Sequence, residues 1–154
     1  MDSPFNIKLM IDGKIIQQNM EEILKVDDSN PLALANQLKD NPNILFYWGS
    51  LGERCSTRLH DIEMKFDVWY ANKAAKAKEQ LLESGEVTKS SITGSIIKNK
   101  IIQDNQEEWI KFKDEINRWS YYEGILSKAE KSIKAKNDVL VNLLSFHKEM
   151  ARNV

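Results

Sequence analysis

Two stretches of this chain repeat apolar residues every three or four positions for more than forty residues, and they dominate what it can fold into. The first runs over 42–84 through Ile44, Leu45, Trp48, Leu51, Cys55, Leu59, Ile62, Phe66, Tyr70, Ala77 and Leu81. The second runs over about 105–151 through Phe112, Ile116, Trp119, Tyr122, Leu126, Ala129, Ile133, Leu140, Leu143, His147 and Met150. Steps of three and four mean α-helix, because only a period near 3.6 brings such residues onto one face. The steps from Leu51 to Tyr70 lie closer to an eleven-residue repeat than to a strict heptad. At 1.5 Å per residue each helix would be roughly 60 Å long. The expected fold is therefore all-α: a long antiparallel helical hairpin that leaves apolar surface for another copy or a partner and oligomerises through the long helices.

The boundaries follow from local chemistry. Phe5, Ile7, Leu9 and Ile11 alternate onto one face and Asp12-Gly13 follows, which predicts a small β-hairpin or arm over residues 1–19. From Asn19 the pattern turns helical through NMEEILKV, with acids in the first turn to suit the helix dipole, and DDSN ends it. Asn30-Pro31 and Asn41-Pro42 each place a capping asparagine before a proline, which predicts two helix starts, the second opening the long segment. Gly85 is the expected C-cap. In residues 86–104 Thr88 is read as the cap of a short helix, with Val87 and Ile92 as its staple and Gly94 weakening it. Residues 20–154 are read as one helical domain.

Catalytic groups are scarce. The chain has two histidines and one cysteine. Cys55 lies on the apolar stripe and reads as a small hydrophobe; His147 reads as a helix-interface residue. His60 and Glu63 share a helix face, but in the order opposite to that of carboxylate-bridged metal bundles and without further inward carboxylates, so no metal is expected. Gly49-Ser-Leu-Gly52 precedes Glu53 and makes no phosphate loop. No enzyme and no cofactor is expected. A lone cysteine excludes an intramolecular disulfide and fits a reducing cytosol. The sequence shows neither a membrane span nor a signal peptide, so a cytoplasmic protein is expected, in the host cytoplasm if phage-encoded.

The net charge is −1, but the lysines are grouped. Around Trp69, Lys65 lies four residues back, Lys73 four ahead and Lys76 seven ahead, with Asn72 and Gln80 along the same row. The nearby acid Asp67 points elsewhere. An aromatic ring flanked by ammonium groups suits single-stranded nucleic acid, with phosphates neutralised and bases stacked. Lys78 follows, and Lys89, Lys98 and Lys100 continue the series in KSSITGSIIKNK, where Ser90, Ser91, Thr93 and Ser95 offer phosphate donors. Lysines on long helices also snorkel along apolar seams and do nothing else, so a plain solvated face stays open as a reading.

EEILKVDDS, LANQLKDNPNILFYWGSL, a helix through DIEMKFDVWYANKAAKAK to ESG, and a final IKFKDEINRWSYYEGILSKAEKSIKAKNDVLVNLLSFHKEMARNV occur here in that order. Over residues 20–154 this resembles the phage recombination mediator family typified by UvsY of the T-even phages. The matching points are Asp28-Ser29, Tyr47-Trp48, Ile62-Glu63 and the helix opening at Trp119 to Tyr122. The resemblance implies a helical protein that helps load a RecA-like recombinase onto single-stranded DNA covered by single-strand-binding protein. It also implies ring-like homo-oligomers formed through the C-terminal helices, with Trp119, Tyr122, Leu126, Ile133, Leu140, Leu143 and Phe146 as candidates. The family's Lys-Ala-Arg-Leu DNA-binding element is matched at Asn72–Lys76 in lysine and alanine, without the arginine. A coiled-coil structural or assembly adaptor is the alternative.

Overall fold

The computed structural model describes residues 3–154 as β1 (Asn6–Ile11), β2 (Lys14–Asn19), α1 (Met20–Leu24), α2 (Pro31–Glu83), α3 (Gly94–Asp104) and α4 (Gln106–Arg152). The chain falls into two compact units. The first comprises Met1–Cys55 with Tyr121–Val154, and the second Ser56–Ser120. The N-terminal hairpin belongs to the first of these units.

In the first unit β1 and β2 pair antiparallel, with Leu9 opposite Ile16 and Met10 opposite Ile15. Asp12 and Gly13 both take positive φ, 51° and 74°, the mirror-image turn that matches strand twist in a two-residue hairpin. Ile7, Leu9 and Ile11 are buried, as their alternation requires, while Phe5 is exposed. Asn19 caps α1 by accepting from the Glu21 amide at 2.9 Å. Asn30 caps α2, its Oδ1 accepting from the Ala33 amide at 2.9 Å. Gln37 then holds the preceding loop, bonding both the amide (3.0 Å) and the carbonyl (2.7 Å) of Asp27.

Here α2 lies antiparallel to the C-terminal part of α4, and three ties hold α4 to α2, α1 and β1. The buried Asn41 donates to the Ile133 carbonyl at 3.3 Å and to Asn137 Oδ1 at 3.4 Å. Lys136 Nζ donates to the Ile23 carbonyl at 2.8 Å, and partial burial lowers its pKa. The Met10 amide donates to the Tyr122 hydroxyl at 3.4 Å. Leu34, Trp48, Leu51, Cys55, Leu126, Ala129, Ile133 and Leu140 complete the core.

Two expected boundaries need correction. The helix does not restart at Pro42; α2 runs unbroken from Pro31 through it. Asn41 is not a cap, because its amide is spent on α4 and its Oδ1 is left without a partner. Tertiary contact overrides the local signal: Pro42 points to solvent, so its ring is tolerated at the loss of one helical bond. Nor does Thr88 start a helix. It closes a turn, its carbonyl accepting from the Ser91 amide at 3.0 Å. Thr93 caps α3, accepting from the Ile96 amide at 3.3 Å. Gly94 is α3's first residue, where glycine costs little.

In the second unit the remainder of α2 lies antiparallel to the first part of α4, with α3 beside them. Ile62, Ala77, Leu81, Ile101 and Trp119 are its buried apolar residues. Gly85 ends α2 in the left-handed conformation, φ 72°, as its position after the last apolar residue leads one to expect.

Candidate nucleic-acid interface

The lysine–tryptophan row lies in the second unit. Trp69 is half-buried and packs into an aromatic cluster, with ring centroids 5.8 Å from Phe66, 5.4 Å from Phe112 and 6.3 Å from Trp109. Its indole Nε1 donates to Glu108 Oε2 at 2.6 Å. The same carboxylate takes Lys73 at 3.5 Å, and the Lys73 ammonium sits 5.9 Å from the Trp69 ring centre. Trp69 therefore differs from the free platform that the sequence suggests. No neighbour on α2 supplies its acid; Glu108 arrives from the first turn of α4.

The other candidates separate by environment. Lys65, Lys76, Lys78 and Lys89 are exposed, and among the described residues none forms an ion pair. Lys98 is exposed, with its ammonium 5.9 Å from the Trp109 ring centre. Lys100 is half-buried and paired with Asp104 at 3.1 Å, one helical turn on. Lys113, absent from the sequence-derived set, lies closest to the rings, 4.2 Å from Phe66 and 5.1 Å from Trp109. Each such cation–π contact is worth about 0.5–1 kcal/mol at an exposed site. The signal for Lys113 and Glu108 is only visible once α4 is laid antiparallel to α2, so residue spacing within one helix could not reveal it.

Charge is uneven within this unit. Residues 68–103 carry six lysines, Lys73, Lys76, Lys78, Lys89, Lys98 and Lys100, against three glutamates, Glu79, Glu83 and Glu86. The following stretch 104–120 is acidic, with Asp104, Glu107, Glu108, Asp114 and Glu115 against Lys111, Lys113 and Arg118. A cleft of about 350 Å³ opens beside Trp69 and Phe112, rimmed by Glu108, Lys111 and Glu115. A phosphate approaching that side of Trp69 meets two carboxylates. The cationic side is the end of α2, the loop after it, and α3.

The residues expected to join copies are placed otherwise. Trp119, Leu126, Ile133 and Leu140 are buried inside a single chain. In the first unit Asn41 of α2 bonds Ile133, Gly52 of α2 lies beside Leu126, and Met10 of β1 and Ile23 of α1 bond Tyr122 and Lys136. Tyr122 is half-buried and bonded to Met10, Leu143 is half-buried, and Phe146 is 58% exposed.

Cys55 is fully buried, and burial, with Glu123 and Asp12 nearby, pushes its thiol up to about 11, so it packs as a hydrophobe and is no nucleophile at neutral pH. Among the described residues no three His, Cys, Asp or Glu side chains are grouped to hold a metal ion, and no helix is long and apolar enough to cross a membrane. Comparison with family models, curated proteins and solved structures gives no match.

Proposed function

We propose that this chain is a non-enzymatic single-stranded DNA-binding protein that acts as a recombination mediator, loading a RecA-like recombinase onto DNA held by single-strand-binding protein. One observation carries the DNA part of the reading: Lys76, Lys78 and Lys89 are exposed, unpaired among the described residues, and set in a segment with twice as many lysines as acids. Such groups bind a polyanion by releasing its condensed counterions, without regard to base sequence. The resemblance to phage recombination mediators supplies the rest, including the recombinase, the single-strand-binding protein and a ring-like homo-oligomer. Repetition of a weak site in an oligomer raises its avidity without new contacts. A strand bent over repeated lysines loosens its resident binding protein, and the recombinase nucleates on the stretch released.

The test is single-stranded oligonucleotide binding over a range of salt. Lys76→Ala, Lys78→Ala and Lys89→Ala together reduce the slope of log K against log salt by about 2, at ~0.7 per phosphate contact for single strands. An unchanged slope removes the site. A coiled-coil structural or assembly adaptor is the second reading, favoured by Leu32 (69% exposed) and Phe46 (78%) on α2. On that reading the triple variant binds as the parent does, and Phe46→Ser abolishes partner capture.

A further inference from the structure

We propose that β2 is a self-pairing edge, through which two copies of this chain join their hairpins into one four-stranded antiparallel sheet. A two-residue turn makes Ile11 and Lys14 a hydrogen-bonded pair, and the ladder then alternates: Leu9–Ile16 bonded, Met10–Ile15 not, Lys8–Gln17 not. The N–H and C=O of Ile15 and Gln17 therefore point away from β1. On β1 the outward amides of Met10 and Asn6 are engaged. The Met10 amide donates to the Tyr122 hydroxyl at 3.4 Å, and the Asn6 amide to the Ser3 carbonyl at 2.9 Å. Among the described residues no hydrogen bond reaches the outward backbone groups of Ile15 or Gln17. The β1 edge is tied at Met10 and at Asn6, the β2 edge at neither Ile15 nor Gln17.

Natural proteins shield an open edge with proline, a bulge or an inward charge. KIIQQN has none of these; its one charge, Lys14, sits beside the turn. Ile15 is 60% exposed, and so is its cross-strand neighbour Met10, at 57%. Ile16 is half-buried on the opposite face, next to the fully buried Leu9.

The strand's own sequence selects a second copy as the occupant. A two-fold axis at Ile16 pairs Ile15 of each copy with Gln17 of the other, so that both orphaned backbone groups of both residues bond. The two Ile16 side chains then oppose one another at a non-bonded site, where side chains approach closest. They extend the buried layer into a row Leu9, Ile16, Ile16, Leu9. Lys14 faces Gln18 of the partner strand, so like charges never meet.

Light scattering on the full chain, over a concentration series, tests it. The protein is expected at twice the 17.8 kDa chain mass or a multiple of it. Gln17→Pro removes one outward N–H from each copy while leaving every bond to β1 in place. Two lost bonds weaken self-association by roughly ten- to hundredfold. A parent that stays a single chain up to its solubility limit overturns the proposal, as does a Gln17→Pro variant that associates unchanged. Ile16→Cys provides a readout independent of the proline's effect on folding: mild oxidation yields a disulfide-linked dimer. Cys55, fully buried, does not compete. Absence of that dimer, in folded protein that associates, overturns the register and the proposal with it.

Discussion

Pro42→Ala separates two pictures of the N-terminal half of α2. A continuous helix through Pro42 lacks the amide that the Leu38 carbonyl needs and carries a ring pressed against that carbonyl; a helix restarting at Pro42 has neither problem. Proline in a helix interior costs about 3 kcal/mol relative to alanine. Pro42 is exposed, so alanine leaves no cavity. The looser unfolded chain of the alanine variant returns about 0.4–1 kcal/mol. The net expectation is a gain of about 2 kcal/mol, or roughly 4–8 °C in melting temperature for a chain of this size. Urea and thermal unfolding followed by circular dichroism at 222 nm measure it. Were Asn41 a cap and Pro42 a first helical residue, the same change would be neutral or destabilising, and that outcome refutes the continuous helix.

Three further outcomes are expected. Cys55 resists thiol reagents in the native protein at pH 8 and reacts fully after unfolding. Because its folded pKa, about 11, lies above the ordinary value of about 9, the unfolded chain loses its proton first. Its contribution to stability is therefore whole below pH 9 and is lost between pH 9 and 11, as pH titration of the unfolding free energy would show. Leu140→Ala, at a site of zero exposure, costs about 2–5 kcal/mol in urea unfolding; Leu140→Asp unfolds the first unit outright instead of yielding a folded monomer, as its circular dichroism spectrum would show. Glu108→Gln frees Lys73 from its carboxylate and steepens the salt slope of single-stranded DNA binding by about 0.7, whereas an unchanged or shallower slope places Lys73 outside the interface.

The helices were legible because their information is local: the 3.6 period, the Asn30 cap, Gly85 and the Asp12-Gly13 turn each act through near neighbours. The hairpin's buried face was legible for the same reason, Ile7, Leu9 and Ile11 alternating as a half-covered strand must. What failed needed a second element. Asn41 looks like a cap until Ile133 and Asn137 claim its amide. Leu126, Ile133 and Leu140 look unsatisfied until the folded chain buries them, with α2 against Leu126 and Ile133. At the candidate site the lysines were readable as a series, but the acid that answers Trp69 and Lys73 lies 39 residues from Trp69. No spacing rule along one helix reaches it.

The first unit is assembled from the two ends of the chain, with the second inserted between them. That order has a consequence at the ribosome. The hairpin is made before the second unit, and the α4 residues that complete its own unit, from Tyr121 onward, are made after it. The middle segment can fold while the beginning waits with Ile7, Leu9 and Ile11 uncovered. A nascent chain stalled before Tyr121 would be a natural client for a chaperone that grips short apolar strands.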